Sequence, residues 1–105
     1  MSELTIVQND QKYITFHLRE HDGTTPVDIS GADTITFRMR KYGESTLSAE
    51  GTCSIVDGKA GTCRYFMTSL DTARVGIYES EIEVVDGNEI ITWIGPKIKI
   101  IEELG

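Results

Sequence analysis

The sequence has little positive charge and no long apolar stretch. Against 17 Asp and Glu residues it carries only 10 Lys and Arg residues, for a formal net charge of -7. Nucleic acids and anionic membranes favour positively charged partners, so neither is expected to bind this chain. No apolar run approaches the roughly 18 residues of a membrane-spanning helix, and the start, MSELTIVQND, lacks the basic and apolar regions of a signal peptide. We therefore expect a protein that is made and folded in a cytosol.

Cysteine is also rare. Cys53 and Cys63 flank the stretch SIVDGKAGT, and a hairpin turning at residues 57–58 would place them nearly opposite each other. A cross-strand disulfide is then sterically conceivable, but buried free thiols are favoured because cytosolic proteins are kept reduced. The surrounding residues lack the ligands of a zinc site.

Alternation of apolar and polar residues with a period of two dominates what is present. The clearest case is GIYESEIEVVDG at residues 76–87, typical of a strand with one buried face. Asp-Gly dipeptides at residues 22–23, 57–58 and 86–87 predict hairpin turns, and residues 95–96, Gly-Pro, predict a bulge or kink in the last strand. The same periodicity predicts a core made of Ile14, Phe16, Leu18, Ile35, Phe37, Met39, Tyr65, Tyr78, Ile82 and Val84.

These segments predict an all-β fold: an antiparallel immunoglobulin-like β-sandwich of about seven strands, forming a single domain over residues 1–105. TSLDTARVG, at residues 68–76, begins with a Ser/Thr-x-x-Asp pattern and predicts one short helical crossover. Tyr78, at the start of the following strand, either turns its hydroxyl back onto the preceding loop or is simply a core aromatic. Trp93, with Ile91, is expected in the core, and an exposed binding role for the tryptophan is the alternative.

The carboxylates of the 76–87 strand form an acidic ladder, Glu79, Glu81 and Glu83. Neighbours on a strand face lie about 7 Å apart, close to the separation of glycosidase acid/base pairs. A single flat strand supplies no cleft between opposed carboxylates, so a solvated structural face is favoured. We expect this strand to lie between the TITFRMRK strand, which offers Arg38 and Arg40, and the last strand, which offers Lys97 and Lys99.

Other arrangements that carry chemistry are missing. His17 and His21 are four residues apart with Glu20 beside them, but four residues of strand span about 13 Å, too far for one metal ion. Both are therefore expected to be surface histidines. The Asp-Gly turns lack the alternating oxygen ligands of a calcium loop, and no phosphate loop or nucleophile elbow is present. We predict no catalytic, cofactor-binding or metal-binding residues, and no cofactor.

The order of segments resembles the N-terminal immunoglobulin-like domain of phage baseplate upper proteins, found in tailed phages of Gram-positive bacteria and in their prophages. Three stretches carry the resemblance: ITFHLREHDGTTPVDISGADTITFRMR, VDGKAGTCRYFMTSLDTARVGIYESEIEVVDGNEIITW and PKIKIIEEL. The chain departs from the family at Cys53 and Cys63, where aliphatic residues are usual. It also ends at Gly105, where the family continues into a long receptor-binding portion, so a free-standing small protein and one domain of a longer protein both remain open.

The resemblance implies a non-enzymatic structural component of a phage or prophage tail or baseplate. Such a protein would be located in the virion, dock on the tail hub against other tail or baseplate proteins, and assemble in several copies as a homo-oligomer. On a β-sandwich the expected contact surfaces are exposed strand edges and end loops. The candidates here are YGESTLSAEG and LTIVQND, and the alternative is that they are a plain loop and an ordinary edge strand. The alternative function is an immunoglobulin-like carbohydrate-binding or adhesin module of a bacterial surface protein, whose exposed aromatic platform would have to come from Tyr13, Tyr42 and Phe66, scattered over different segments.

Overall fold

The computed structural model describes residues 3–104, and within that range the chain forms strands and no helix. The strands are β1 (Glu3–Val7), β2 (Lys12–His17), β3 (Thr34–Lys41), β4 (Ala49–Thr52), β5 (Ser54–Asp57), β6 (Thr62–Met67), β7 (Gly76–Asp86), β8 (Glu89–Ile94) and β9 (Lys97–Ile101).

The strands form two sheets. The six-stranded sheet has the order β1-β9-β7-β3-β4, with β8 also paired to β7, and the three-stranded sheet has the order β2-β6-β5. The predicted all-β class is confirmed. The expectation of an entirely antiparallel arrangement was wrong, because β1 runs parallel to β9 from the pair Glu3 and Lys97 to the pair Val7 and Ile101.

The core lies between the two sheets. Phe37 of β3 is fully buried and stacks on two aromatic rings of the facing sheet, with centroid distances of 5.6 Å to Phe16 and 4.5 Å to Tyr65. All ten core residues predicted from the alternation are buried. The period of two therefore assigns the inward faces of β2, β3, β6 and β7 correctly.

The predicted helical crossover was wrong, because the segment between β6 and β7 forms a single turn and no helix. Thr68 and Asp71 make the reciprocal bonds of a capping box, with Thr68 N donating to Asp71 Oδ2 (3.1 Å) and Asp71 N donating to Thr68 Oγ1 (3.3 Å). Thr72 N then donates to the Thr68 carbonyl at 3.2 Å, which closes one turn. Leu70 is 86% exposed, so the segment has no apolar stripe that packing could stabilise into a longer helix.

The break at residues 95–96 is confirmed, and it divides the predicted last strand into β8 and β9. Gly95 N donates to the Ser80 carbonyl (2.9 Å), and the Ser80 hydroxyl donates to the Pro96 carbonyl (2.6 Å). A Cβ atom at Gly95 would collide with the Ser80 hydroxyl, so the close approach of the two chains requires glycine. This division is one reason why the strands outnumber the prediction of about seven.

The two cysteines lie close together, as expected: the Cys53 and Cys63 thiols are within hydrogen-bond distance, and this contact raises the pKa of the Cys53 thiol. They are not in direct register, however. Ile55 is the residue opposite Cys63, and Cys53 precedes β5, with its N–H donating to the Ile35 carbonyl of β3 (2.8 Å). The turn between β5 and β6 spans residues 58–61 and is joined to a register shift near Asp57, which moves the pairing away from the predicted one. Both thiols are free and buried.

Tyr78 combines the two roles considered for it. Its ring is 1% exposed and belongs to the core, and its hydroxyl donates to the Arg74 carbonyl in the preceding loop (2.6 Å). Burial raises the pKa of this hydroxyl above its ordinary value. The residue thereby fixes the start of β7 to the loop before it.

Candidate functional site

The acidic ladder lies on the outer face of the six-stranded sheet, beside β3. Arg38 faces Glu81 across the β3–β7 pairing. Its guanidinium is within ion-pair distance of Glu50 (2.6 Å), Glu81 (3.3 Å) and Glu83 (3.4 Å). Hydrogen bonds to Glu50 and then Glu83 raise the pKa of Arg38 further above its ordinary value. The predicted cross-strand charge pairing is confirmed on this side of the ladder.

The remaining ladder residue, Glu79, pairs with Arg40 at 3.1 Å. The predicted pairing with lysines of the last strand was wrong, since no ion pair in residues 3–104 involves Lys97 or Lys99. The reason is the break before β9, whose pairing with β7 ends at Tyr78. The Lys97 ammonium lies 5.8 Å from the centre of the Tyr42 ring instead.

A groove of about 620 Å³, here called the outer groove, opens on the same face of the sheet. Charged side chains of β3 and β7 form its floor, and apolar side chains rise at both sides. The lining residues are Arg38, Met39, Arg40, Tyr42, Leu47, Glu79, Ser80, Glu81, Ile94, Gly95 and Lys97. Because the charged side chains of the floor are paired with each other, the floor between the apolar walls carries little net charge.

One wall of the outer groove is held in place by hydrogen bonds. Tyr42 N donates to the Ile77 carbonyl (3.0 Å), and the Arg74 guanidinium binds Glu44 at 2.8 Å. The hydrogen bond from Arg74 lowers the pKa of Glu44 below its ordinary value. Tyr42 and Leu47 remain about half exposed at 52% and 49%, so the segment YGESTLSAEG presents fixed apolar side chains rather than a plain polar loop.

The Ser80 hydroxyl, which lines the outer groove, is buried and donates to the Pro96 carbonyl. His17 and His21 are exposed, as predicted, and lie on β2 and in the following loop. Within residues 3–104 no three His, Cys, Asp or Glu side chains converge as a metal site would need. No helix in that range is long and apolar enough to cross a membrane.

The Asp22 carboxylate accepts hydrogen bonds from residues of its own turn. The backbone N–H groups of Thr24 and Thr25 donate to Asp22 Oδ1 at 2.9 and 2.8 Å, and the Thr25 hydroxyl donates to Oδ2 at 2.5 Å. These bonds, with the Thr25 hydroxyl first, lower the pKa of Asp22 to about 2. Turn chemistry accounts for this acidic residue without a bound cation.

The outer face of the three-stranded sheet brings two of the three candidate platform aromatics together. Tyr13 and Phe66 are directly opposite each other in the β2–β6 pairing, and their rings meet edge to face at 5.0 Å. The Arg64 guanidinium lies 3.8 Å from the centre of the Tyr13 ring and covers one of its faces. Tyr42 directly follows β3 of the other sheet and lies at the outer groove.

The expectation that both Trp93 and Ile91 of β8 lie in the core was only partly correct. Trp93 is half-buried against the core, and its Nε1 donates to the Arg19 carbonyl (3.0 Å). Ile91, expected in the core, is instead 48% exposed, and its neighbours Ile90 and Ile94 are 65% and 72% exposed. The opposing sheet has three strands against six, so it does not cover the full inner face of the larger sheet.

Sequence reasoning missed Ile94, which lies both on β8 and in the outer groove. Its signal is the uncharged run IITWI, which follows the turn at residues 86–88. A run that is apolar on both faces is typical of a strand covered on both sides. Here Ile90 and Ile94 lie on the outer face of the larger sheet, which no other sheet of residues 3–104 covers.

Among solved structures, the chain is similar to the N-terminal domain of phage TP901-1 ORF48, with a TM-score of 0.65 at 18% sequence identity, covering 95% of this chain and 83% of that chain. ORF48 is a baseplate protein. No family model matches the sequence, and no curated protein matches it. The structural likeness confirms the resemblance to a baseplate N-terminal domain at the level of the fold.

Proposed function

We propose that this protein is a non-enzymatic structural component of a phage or prophage tail or baseplate, which docks on the tail hub and assembles in several copies. One observation carries the proposal: the fold is similar, over 95% of the chain, to the N-terminal domain of a phage baseplate protein. The mature protein would then be located in the virion after folding in the host cytoplasm.

The surface supports an assembly role. The distinctive features of residues 3–104 are an apolar-walled groove with a compensated floor, and free strand edges at β1 and β4. Those edges coincide with the two predicted contact segments, LTIVQND and YGESTLSAEG. Grooves and strand edges are the surfaces through which β-proteins bind other chains.

We also infer that the chain is one domain of the immunoglobulin-like class. Two features support this inference: one contiguous core cluster joins residues from both sheets, and Tyr78 bonds back to the Arg74 carbonyl near the start of its strand. That bond matches the tyrosine corner of immunoglobulin-like sandwiches.

A carbohydrate-binding or adhesin module is the competing function, and the observation in its favour is the exposed pair Tyr13 and Phe66. Sugar rings stack on flat, accessible aromatic faces. Here the two ring planes differ by 64°, and Arg64 covers one face of Tyr13. This geometry supports the assembly role over the glycan-binding role.

Deletion of the gene, or of this domain within a longer gene, in the phage that encodes it tests the proposal. We expect particles with incomplete or non-adsorbing tails, and recovery of normal particles when the intact chain is supplied in trans. Mass spectrometry of purified particles should find the chain in the tail fraction.

A matched pair of complementing variants sharpens the test. Leu47→Glu places a charge on the wall of the outer groove, whereas Leu70→Glu places the same charge on a loop where the side chain is 86% exposed. We expect Leu47→Glu to reduce incorporation into particles about tenfold, equivalent to about 1.4 kcal/mol, and Leu70→Glu to have no effect. Normal, infectious particles from the deletion, together with tight glycan binding by the isolated chain, would instead establish the adhesin function.

A further inference from the structure

One edge of β8 is open. The strand pairs with β7 on one side, and no strand within residues 3–104 pairs with its other side. The neighbouring β9 is covered on that side by β1, whose Glu3 lies opposite Lys97. The uncovered edge therefore extends over Glu89–Ile94, and every second residue there directs its N–H and C=O groups away from β7.

The open edge lacks the usual protection against pairing. Free strand edges in natural proteins commonly carry charges, bulges or very short strands. Among the other free edges, β4 carries Glu50, β5 contains a register shift and ends at Asp57, and β2 begins at Lys12, whereas β1, like β8, has a single glutamate at its start. Strand β8 has no charged residue after Glu89 and exposes three isoleucines, which together favour the addition of another strand.

We propose that the open edge of β8 pairs in antiparallel orientation with β8 of a second copy of this chain. The two six-stranded sheets then form one continuous sheet across a two-fold axis. The proposal rests on the proposed function for its expectation of several copies, but it concerns contacts that form between isolated chains.

We place the two-fold axis at Ile91, near the middle of the open edge Glu89–Ile94. Ile91 then faces Ile91 of the second copy, and Ile90 faces its Thr92, which are favourable β-branched pairs. The two Glu89 side chains are about 14 Å apart along the strands, beyond the Debye length of roughly 8 Å at physiological ionic strength.

A second copy fits this edge because the edge is complementary to itself. Pairing consumes the same edge of both copies, so the contact closes as a dimer and does not propagate into a fibre. A six-residue edge buries less than the roughly 1,600 Å² of a standard interface, so we expect a dissociation constant of roughly 10–100 µM. In a particle that holds several copies close together, effective concentration would strengthen such a contact.

Sedimentation equilibrium of the isolated chain tests the proposal. We expect reversible dimers across the range from roughly 10 µM to 1 mM. Ile90→Lys introduces an exposed charge beside the axis and should weaken the dimer at least tenfold. The matched control Val56→Lys places lysine at the edge strand of the other sheet, where the side chain is 54% exposed, and should leave the dimer unchanged.

Cross-linking tests the pairing itself. Across an antiparallel pair, Cα atoms are about 4.5–5.5 Å apart, within disulfide range. In a background of Cys53→Val and Cys63→Val, Ile91→Cys should therefore form a disulfide-linked dimer under mild oxidation, and Val56→Cys should not. A chain that stays monomeric at about 1 mM overturns the proposal. A dimer that Ile90→Lys leaves intact overturns it as well. Neither result bears on the deletion phenotype, which tests the proposed function separately.

Discussion

Phe37 is the side chain whose removal tests the two-sheet core most directly. It is fully buried and stacks on Phe16 and Tyr65 of the facing sheet at 5.6 and 4.5 Å. Phe37→Ala removes those contacts and leaves a cavity, a change that costs about 3–5 kcal/mol in well-packed cores. Chains of this size have a free energy of unfolding of roughly 5–15 kcal/mol, so the variant should fold but be much less stable.

Urea denaturation followed by circular dichroism measures the loss. With a denaturant slope of about 2 kcal/mol per molar, the midpoint should fall by roughly 2 M. Phe66→Ala is the matched control, because Phe66 lies on the outer face with 42% of its surface exposed, and it should cost no more than about 1 kcal/mol. If the two variants lost equal stability, or if Phe37→Ala lost less than about 1 kcal/mol, the assignment of Phe37 to the centre of the core would be refuted.

Three further predictions follow from the side-chain contacts. Arg38→Met should lower the free energy of unfolding by about 1–2 kcal/mol, because it leaves three glutamates without their shared cation, and the loss should shrink in about 1 M salt if repulsion is its cause. Thiol titration of the unfolded protein under non-reducing conditions should find both Cys53 and Cys63 reduced. Replacing both with Val should leave the free energy of unfolding unchanged, because both positions need only a modest apolar side chain. A smaller free energy of unfolding would show that the thiols do more than fill space. Tyr65 and Tyr78 have pKa values raised by burial above the ordinary value near 10, so their neutral forms stabilise the fold below that pH and the contribution is lost as pH rises through the folded-state pKa values. Replacing each with Phe should flatten the alkaline decline measured by thermal unfolding.

The alternation of side chains predicted the interior well because burial on a strand depends on a local rule. Successive residues of β7 point to opposite faces, so Tyr78, Ile82 and Val84 enter the core whatever the neighbouring strands are. The break at residues 95–96 was equally local, since proline cannot donate to a ladder and Gly95 has no Cβ atom to collide with Ser80.

The predictions that failed depended on the length of an element or on its neighbours. The capping residues Thr68 and Asp71 formed their bonds, but the helix they predict needed an apolar stripe that the segment lacks. The hairpin predicted at residues 57–58 brought Cys53 and Cys63 together, but its turn is longer and its pairing is shifted. Lys97 could not reach the acidic ladder because the break before β9 moved it toward Tyr42.

The outer groove and the open edge of β8 could not be predicted from the sequence either, because both depend on which strands lie side by side. The groove forms where Leu47, after β3, faces Ile94, at the end of β8, across the charged floor. Ile94 therefore belongs to both surfaces, whereas Ile90 lies on β8 outside the groove. A substitution at Ile94 would change groove binding and strand pairing together, so only variants at Ile90 and Leu47 separate the docking contact from the contact between copies.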